Sequence, residues 1–130
     1  IDKGSFIIKL FDIFNYKTVQ LIYILNLCYD ELIFIKPHTS RPFNSEKYLV
    51  CKLFKKNETA IKLMETHWDK KENIDIVVPD NFIKKINEYN ELFVDNQIKN
   101  INNILTRKFI VNNTQKCIDW CKEYKMPYLN

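Results

Sequence analysis

The sequence predicts an α/β fold, with a strand, a helix and two further strands followed by a mainly helical C-terminal part. Three observations support this prediction. Short apolar runs bounded by turn residues recur in the first 56 residues, as is typical of strands. A longer apolar segment separates the first two runs. Beyond residue 57, apolar residues recur at intervals of three and four, as they do on helices. We therefore predict a sheet region at residues 1–56 and a helical extension packed on it at residues 57–130.

The first strand is predicted at residues 6–11, where FIIKLF is apolar except for one lysine. Such a run is typical of a strand that is covered on both faces. Residues 15–18 supply a turn and a helix cap, and VQLIYILNLCY, residues 19–29, is long enough for a buried helix. ELIFIKP, residues 31–37, is predicted as a second strand that ends at Pro37. The helical crossover implies that these two strands run parallel.

The third strand is predicted at residues 47–54, KYLVCKLF, after the polar linker HTSRPFNSE. A short strand–loop–strand connection makes this strand antiparallel to the second strand, and hence to the first. If it inserts beside the first strand, its beginning lies at the C-terminal edge of that strand, where open α/β sheets bind ligands. We therefore predict that the third strand lies between the other two, so that residues 6–11 do not pair with residues 31–37.

The remaining residues are predicted to form three helices and one short extended piece. Residues 58–69 are compatible with a helix, and IDIVVP, residues 74–79, with the extended piece. Asp80 is predicted to cap a long helix, with a possible break near Asp95. A last helix is predicted at residues 114–124.

The four cysteines lie inside apolar helix or strand patterns, which predicts reduced thiols in the core rather than disulfides. Cys117 and Cys121, four residues apart, could supply half of a zinc site. The sequence contains no matching second pair, so we expect buried thiols and no structural metal. Trp120 and the other aromatic residues of the late helices are expected in the core.

The net charge of +4 resides in the first 56 residues, which hold nine Lys or Arg residues against five Asp or Glu residues. A local basic excess favours a phosphate-bearing partner such as RNA, although it is also common on plain solvated surfaces. In these 130 residues no apolar stretch approaches the roughly 18 to 20 residues of a membrane span, and no basic start is followed by an apolar signal region. We expect an intracellular, cytoplasmic protein, with the nucleus or a viral factory as alternatives.

Two charges stand at unusual positions in the predicted sheet. Lys9 interrupts the first strand and Glu46 directly precedes the third. Taken alone, a strand lysine usually reaches the surface and a carboxylate at such a joint is usually a turn residue. In the predicted topology, however, Lys9 and Glu46 converge at one edge of the sheet. We therefore interpret them together as a candidate site.

Four segments resemble the C-terminal half of the FtsJ-like ribose 2′-O-methyltransferases, particularly the branch specific for messenger RNA caps. They are GSFIIKLFD, TVQLIYIL, LIFIKPHTSRPFNSEKYLVCK and CIDWCKEYKMP, and the resemblance is good over residues 4–54 and looser in the tail. It implies the C-terminal part of a Rossmann-like methyltransferase sheet, S-adenosylmethionine as the cofactor and RNA, in particular capped mRNA, as the substrate. Ribosomal and transfer RNA remain open as alternatives.

In that family a Lys-Asp-Lys-Glu tetrad activates the ribose 2′-hydroxyl for attack on the methyl group of S-adenosylmethionine. Lys9 and Glu46 fall where the third and fourth members belong. The resemblance therefore implies that Lys9 is the base and that Glu46 orients it, since a lysine can accept a proton when its surroundings favour the neutral form. Lys36, Arg41 and Ser45 resemble positions beside the RNA. Arg41 could pair with a phosphate in fork geometry, and a purely structural loop arginine is the alternative.

The sequence also departs from the family pattern. The first lysine of the tetrad, its aspartate and the glycine-rich cofactor loop all precede the matched segment, and Gly4 is the single glycine here. Because the first residue is Ile1 rather than methionine, we expect the C-terminal portion of a longer methyltransferase that is inactive alone and whose upstream half binds the cofactor. One alternative is a noncatalytic stimulatory or RNA-binding subunit of a capping complex. Another is an RNA-binding domain without methyltransferase ancestry.

Overall fold

A computed structural model of the chain describes residues 3–106 and 113–127. The mixed α/β composition that we predict is confirmed, while Ile1 lies outside the described residues. The elements occur in the order β1 (Phe6–Leu10), α1 (Tyr16–Cys28), β2 (Tyr29–Ile35), β3 (Lys47–Phe54), α2 (Glu58–His67), α3 (Asp80–Leu105) and α4 (Asn113–Glu123).

The three strands form one sheet in the order β1-β3-β2, which confirms the central position predicted for β3. Both pairings are antiparallel, with Ile8 opposite Leu49 in the first and Ile33 opposite Val50 in the second. Because β1 and β2 are each antiparallel to β3, they point in the same direction without pairing with each other. Whether this sheet belongs to a larger Rossmann-like arrangement stays a prediction.

One face of the sheet carries the core. Leu49 and Cys51 are fully buried there, in a cluster with Ile13 from the β1–α1 connection, Ile22 of α1 and Ile86 of α3. The expectation that β1 is covered on both faces is wrong for the described structure, because Ile7 is 64% exposed. β1 is an edge strand of the described sheet. Because successive side chains of a strand point to opposite faces, Ile7 lies on the face opposite the core.

Helix α1 connects β1 to β2 and joins the helical region to the sheet. It begins after Asn15, whose side-chain Oδ1 accepts a hydrogen bond of 2.9 Å from the backbone N–H of Lys17. Helices α2 and α3 both pack against α1. The boundary that we place at residue 56 between a sheet region and a helical extension stays a prediction.

Gln20, on α1, ties the extended piece to this helix. Its buried Nε2 donates to the carbonyl oxygens of Ile74 (2.7 Å) and Ile76 (3.0 Å), and its Oε1 accepts from the Ile74 N–H at 2.9 Å. One buried amide thus satisfies three backbone groups of a segment that belongs to no strand.

Helix α3 differs from the prediction in two respects. It runs without a break through Asp95, whose exposed position lets the polar side chain remain in water. Pro79 occupies the cap position and Asp80 is the first helical residue, with no side-chain capping bond. A carboxylate in the first turn is still favoured by the helix dipole. Although α3 has 26 residues, neither it nor any other described helix is long and apolar enough to cross a membrane.

The late aromatic and thiol side chains are less buried than expected. Cys28 and Cys51 are buried thiols, but Cys117 is exposed and Trp120 is 43% exposed. The Trp120 ring packs on Tyr124, the residue directly after α4, with 5.0 Å between ring centroids. An aromatic side chain can therefore pack on a neighbour in the chain instead of entering the core.

Candidate active site

Lys9 and Glu46 meet at the edge where β1 ends and β3 begins. Lys9 lies directly opposite Tyr48, and Glu46, two residues before Tyr48, points to the same face of the sheet. The Nζ atom of Lys9 is 3.3 Å from Oε2 of Glu46, and their side chains are 47% and 21% exposed. The structure thus brings together the two charges that the topology predicted to converge, on the face opposite the core.

Tyr48 is a member of this site that the sequence analysis missed. Its hydroxyl donates a 2.8 Å hydrogen bond to Oε1 of Glu46, so both carboxylate oxygens have a partner. The pKa of Glu46 is lowered, first by the Tyr48 hydroxyl and further by the ammonium group of Lys9. The pKa of Tyr48 is raised because its proton is shared with the carboxylate. The sequence held one sign of this contact: Glu46 and Tyr48 are two residues apart, and side chains at that spacing along a strand point to the same face.

Lys36, which directly follows β2, faces the inside of the loop that leads to Glu46. Its Nζ donates to Oγ of Ser40 (3.1 Å), to O and Oδ1 of Asn44 (3.1 and 2.7 Å) and to the backbone oxygen of Glu46 (2.7 Å). Burial lowers the pKa of Lys36, while the charge of Glu46 opposes this shift. These contacts make Lys36 an organiser of the loop, and the direct RNA contact expected for it stays a prediction.

Lys47 stands next to Glu46 in the chain but points to the opposite face, where it is buried. Its ammonium group donates to the carbonyl oxygen of Phe11 and lies 4.2 Å from the centroid of the Phe93 ring. Desolvation lowers the pKa of Lys47, and Asp12 opposes the shift. Lys47 thereby fixes the chain just after β1 relative to the start of β3. From the sequence, Lys47 is predicted only as a residue of the third strand.

A cavity of about 240 Å³ opens beside Glu46 and is the part of the site that could admit a substrate. Arg41 lines it from an exposed position, with its guanidinium 6.0 Å from the centroid of the Phe43 ring. Ser45 is partly buried and does not line the cavity. The other lining residues are Pro37, Thr39, Ser40, Asn44, Glu46 and Tyr48.

A larger cavity of about 490 Å³ lies between α1, β2 and α3 and is lined by neither Lys9 nor Glu46. Tyr23, Phe34 and Phe82 are among its lining residues. The larger cavity is therefore not the one that lies beside the charged residues of the candidate site. We locate the candidate site at the smaller of these two cavities, because it is the one that adjoins the Lys9–Glu46–Tyr48 contacts.

The described residues do not fit a cofactor or a metal ion. Gly4 is the single glycine of the sequence, so no glycine-rich turn leads into a helix as it does in nucleotide-binding sheets. Among residues 3–106 and 113–127, no group of three or more His, Cys, Asp or Glu side chains is arranged to hold a metal ion.

Residues 2–54 match the model of a family described as FtsJ-like methyltransferase. This segment contains β1, α1, β2 and β3, and therefore both Lys9 and Glu46. Helices α2, α3 and α4 lie beyond the match.

Individual proteins extend the similarity into the helices. Cap-specific mRNA (nucleoside-2'-O-)-methyltransferase 1A of Caenorhabditis briggsae is 37% identical over 112 residues, which is 72% of this chain and 13% of that protein. Cap-specific mRNA (nucleoside-2'-O-)-methyltransferase 1 of Mus musculus is 37% identical over 103 residues, covering 70% of this chain and 12% of that protein. The chain thus spans about an eighth of the length of these relatives.

A third relative carries a different description. Inactive cap-specific mRNA (nucleoside-2'-O-)-methyltransferase 1B of Caenorhabditis briggsae is 35% identical over 112 residues, covering 72% of this chain and 13% of that protein. A protein named as inactive and proteins whose names lack that word are therefore similar to this chain to nearly the same degree.

Proposed function

Residues 2–54 of this chain belong to an FtsJ-like methyltransferase domain, and from that premise we propose that the chain is part of an enzyme that methylates the 2′-hydroxyl of an RNA ribose. Capped mRNA is the proposed substrate, since the relatives are named as cap-specific mRNA methyltransferases. The observation that carries the proposal is the contact of 3.3 Å between Lys9 and Glu46 at the open sheet edge.

In the proposed reaction, Lys9 acts as the general base. Its Nζ, in the neutral form, accepts the proton of the ribose 2′-hydroxyl, so the ribose oxygen becomes the nucleophile. Glu46 holds Nζ in position and stabilises the ammonium group that results. Tyr48 fixes the other oxygen of Glu46 and so limits its rotation.

The same surface supplies groups for holding RNA. Arg41 lines the cavity beside Glu46 and can make two parallel hydrogen bonds to a phosphate. Ser45 can contribute a single hydroxyl from the adjoining loop. Lys36 acts mainly by shaping that loop, since its ammonium group is occupied by four acceptors.

S-adenosylmethionine is the methyl donor that FtsJ-like methyltransferases generally use. Because the described residues provide no cradle for it, we propose that it is bound mainly by residues upstream of this chain and that the isolated chain is inactive.

The competing proposal is a noncatalytic, methyltransferase-like subunit that stimulates a capping complex or binds RNA. This proposal is motivated by the relative named as inactive, which is 35% identical to this chain. The two proposals make opposite predictions for substitutions at Lys9, since a noncatalytic subunit needs no base.

The test is methyl transfer to a capped transcript by the full-length protein and its variants. Lys9→Ala should lower the rate by roughly 100- to 10,000-fold, the usual contribution of a general base. Lys9→Arg should be almost as inactive because a guanidinium keeps its proton near neutral pH. Glu46→Gln should cost less, because the base survives with poorer orientation.

Lys52→Ala is the matched control, since Lys52 also lies in the sheet, is similarly exposed and pairs with Glu31 at 3.2 Å. It should retain the wild-type rate, and circular dichroism should show that all variants fold. An active, folded Lys9→Ala variant would remove Lys9 from the mechanism and leave the noncatalytic subunit as the better proposal.

A further inference from the structure

Three side chains of α3, which lie outside the segment that matches the family, contact the backbone segments and lysine side chains next to the candidate active site. They are Asn90, Phe93 and Gln97, which occupy one face of the helix at spacings of three and four residues. Nδ2 of Asn90 is 3.4 Å from the carbonyl oxygen of Ile13, and Nε2 of Gln97 donates to the carbonyl oxygen of Phe43 at 3.0 Å. One helix face therefore contacts both the segment after β1 and the loop before β3.

Phe93 stands at the centre of this face. The Nζ atoms of Lys36 and Lys47 lie 5.3 Å and 4.2 Å from the centroid of its ring. Lys36 holds the loop that ends at Glu46, and Lys47 holds the segment that follows Lys9. The same ring thus contacts the two ammonium groups that fix the two halves of the candidate site.

We propose that Phe93 is a positioning residue, which holds Lys36 and Lys47 and thereby sets the distance between Lys9 and Glu46. This inference rests on the proposed function for its catalytic consequence, although its structural part does not. Partly desolvated ammonium groups need compensation, and the face of an aromatic ring supplies it. A purely apolar side chain of similar size would fill the space without attracting either cation.

The structural part can be measured on the chain without any catalysis. Phe93→Leu keeps an apolar side chain but removes the ring, and it should speed hydrogen exchange of the Asn44 and Glu46 amides about tenfold. These amides are bonded to the Arg41 carbonyl and to Oδ1 of Asn44, inside the loop that Lys36 holds. Phe93→Tyr keeps the ring and should restore exchange rates to within about twofold of wild type.

Leu92→Ala is the control, because Leu92 is the exposed neighbour of Phe93 on the same helix. It should leave exchange in the loop unchanged. Amides at the far end of β3, around Lys52, should keep their wild-type rates in every variant. Unchanged loop exchange in a folded Phe93→Leu variant would overturn the proposal, as would an equal acceleration at Lys52, which would indicate general destabilisation.

The catalytic consequence is tested in the full-length protein. Phe93→Leu should lower kcat about tenfold with little change in KM, and Phe93→Tyr should restore it. A Phe93→Leu enzyme with wild-type kcat would overturn the positioning role. If the wild-type protein transfers no methyl group, the proposed function fails, whereas the exchange result still decides whether Phe93 holds the loop.

Discussion

Cys51 shows how the position of one residue can make stability depend on pH. It is fully buried in β3, and this burial raises the pKa of its thiol from 9.0 to about 11. Between these values the unfolded chain releases the thiol proton while the folded chain keeps it, so rising pH favours unfolding. The free energy of unfolding should fall by roughly 1 kcal/mol between pH 8 and pH 10 because of this thiol.

Urea unfolding of the wild type and of Cys51→Ala at these two pH values isolates this contribution, since the variant should lose correspondingly less stability. Cys117→Ala is the control because its thiol is exposed, and it should follow the wild type. If Cys51→Ala shows the same pH dependence as the wild type, the thiol is not responsible.

Lys36 should stabilise the fold through its polar contacts. Lys36→Met keeps most of the aliphatic length but removes the ammonium donor from the backbone oxygen of Glu46 and from Oδ1 of Asn44, which keeps only its bond from the Glu46 N–H. Because partly buried acceptors without donors are costly, the free energy of unfolding should fall by about 1–3 kcal/mol. Lys56→Met, which removes a surface pair with Glu58, should change it by less than about 0.5 kcal/mol. Equal urea midpoints for the two variants would argue against this role.

The individual residues of the site were predictable only in part. Lys9 and Glu46 could be found because each breaks a local pattern, and the predicted topology brings both to one edge. Lys47 could not, since its burial depends on Phe93, which lies far away in the sequence and belongs to another element. The spacing of residues within β3 does not predict a contact with an aromatic ring from another element.

At the level of the elements, α1 offers a test of local capping. Asn15→Ala removes the acceptor for the Lys17 N–H at the start of the helix and should lower the free energy of unfolding by about 1 kcal/mol. Asn15→Asp retains an acceptor at the positive end of the helix dipole and should remain near wild type. Thermal unfolding followed by circular dichroism measures both. Comparable losses in the two variants would mean that the cap contributes little.

The bounds of the elements followed from the sequence wherever local signals agree. Strand β3 begins and ends where predicted, between a polar linker and a charged pair. The break expected in α3 near Asp95 was wrong, because an exposed polar residue interrupts a hydrophobic stripe without interrupting the backbone hydrogen bonds. The predicted burial of β1 was wrong for a related reason, since composition alone does not reveal which face of a strand another element covers.

At the scale of the whole molecule, the candidate site is built from the three strands and the loop before β3, and we propose that α3 supports it. The strand order places the end of β1 beside the start of β3, and Lys36, directly after β2, shapes the loop between β2 and β3. Strand order was predictable because a short connection restricts the topology. The docking of α3 was not, because its hydrophobic period shows that one face is buried but not against which surface.

A last prediction concerns the whole chain and S-adenosylmethionine, the methyl donor of the proposed reaction. Binding of S-adenosylmethionine to the 130-residue chain should be negligible, with a dissociation constant weaker than about 1 mM. The reason is structural: Gly4 is the single glycine, and no described helix follows a glycine-rich turn that would let the backbone approach a nucleoside closely. Isothermal titration calorimetry should therefore give no binding heat with this chain, whereas the full-length protein should bind the cofactor. Micromolar affinity of the isolated chain would show that its own residues form a cofactor site. That result would contradict the proposal that S-adenosylmethionine is bound mainly by residues upstream of this chain.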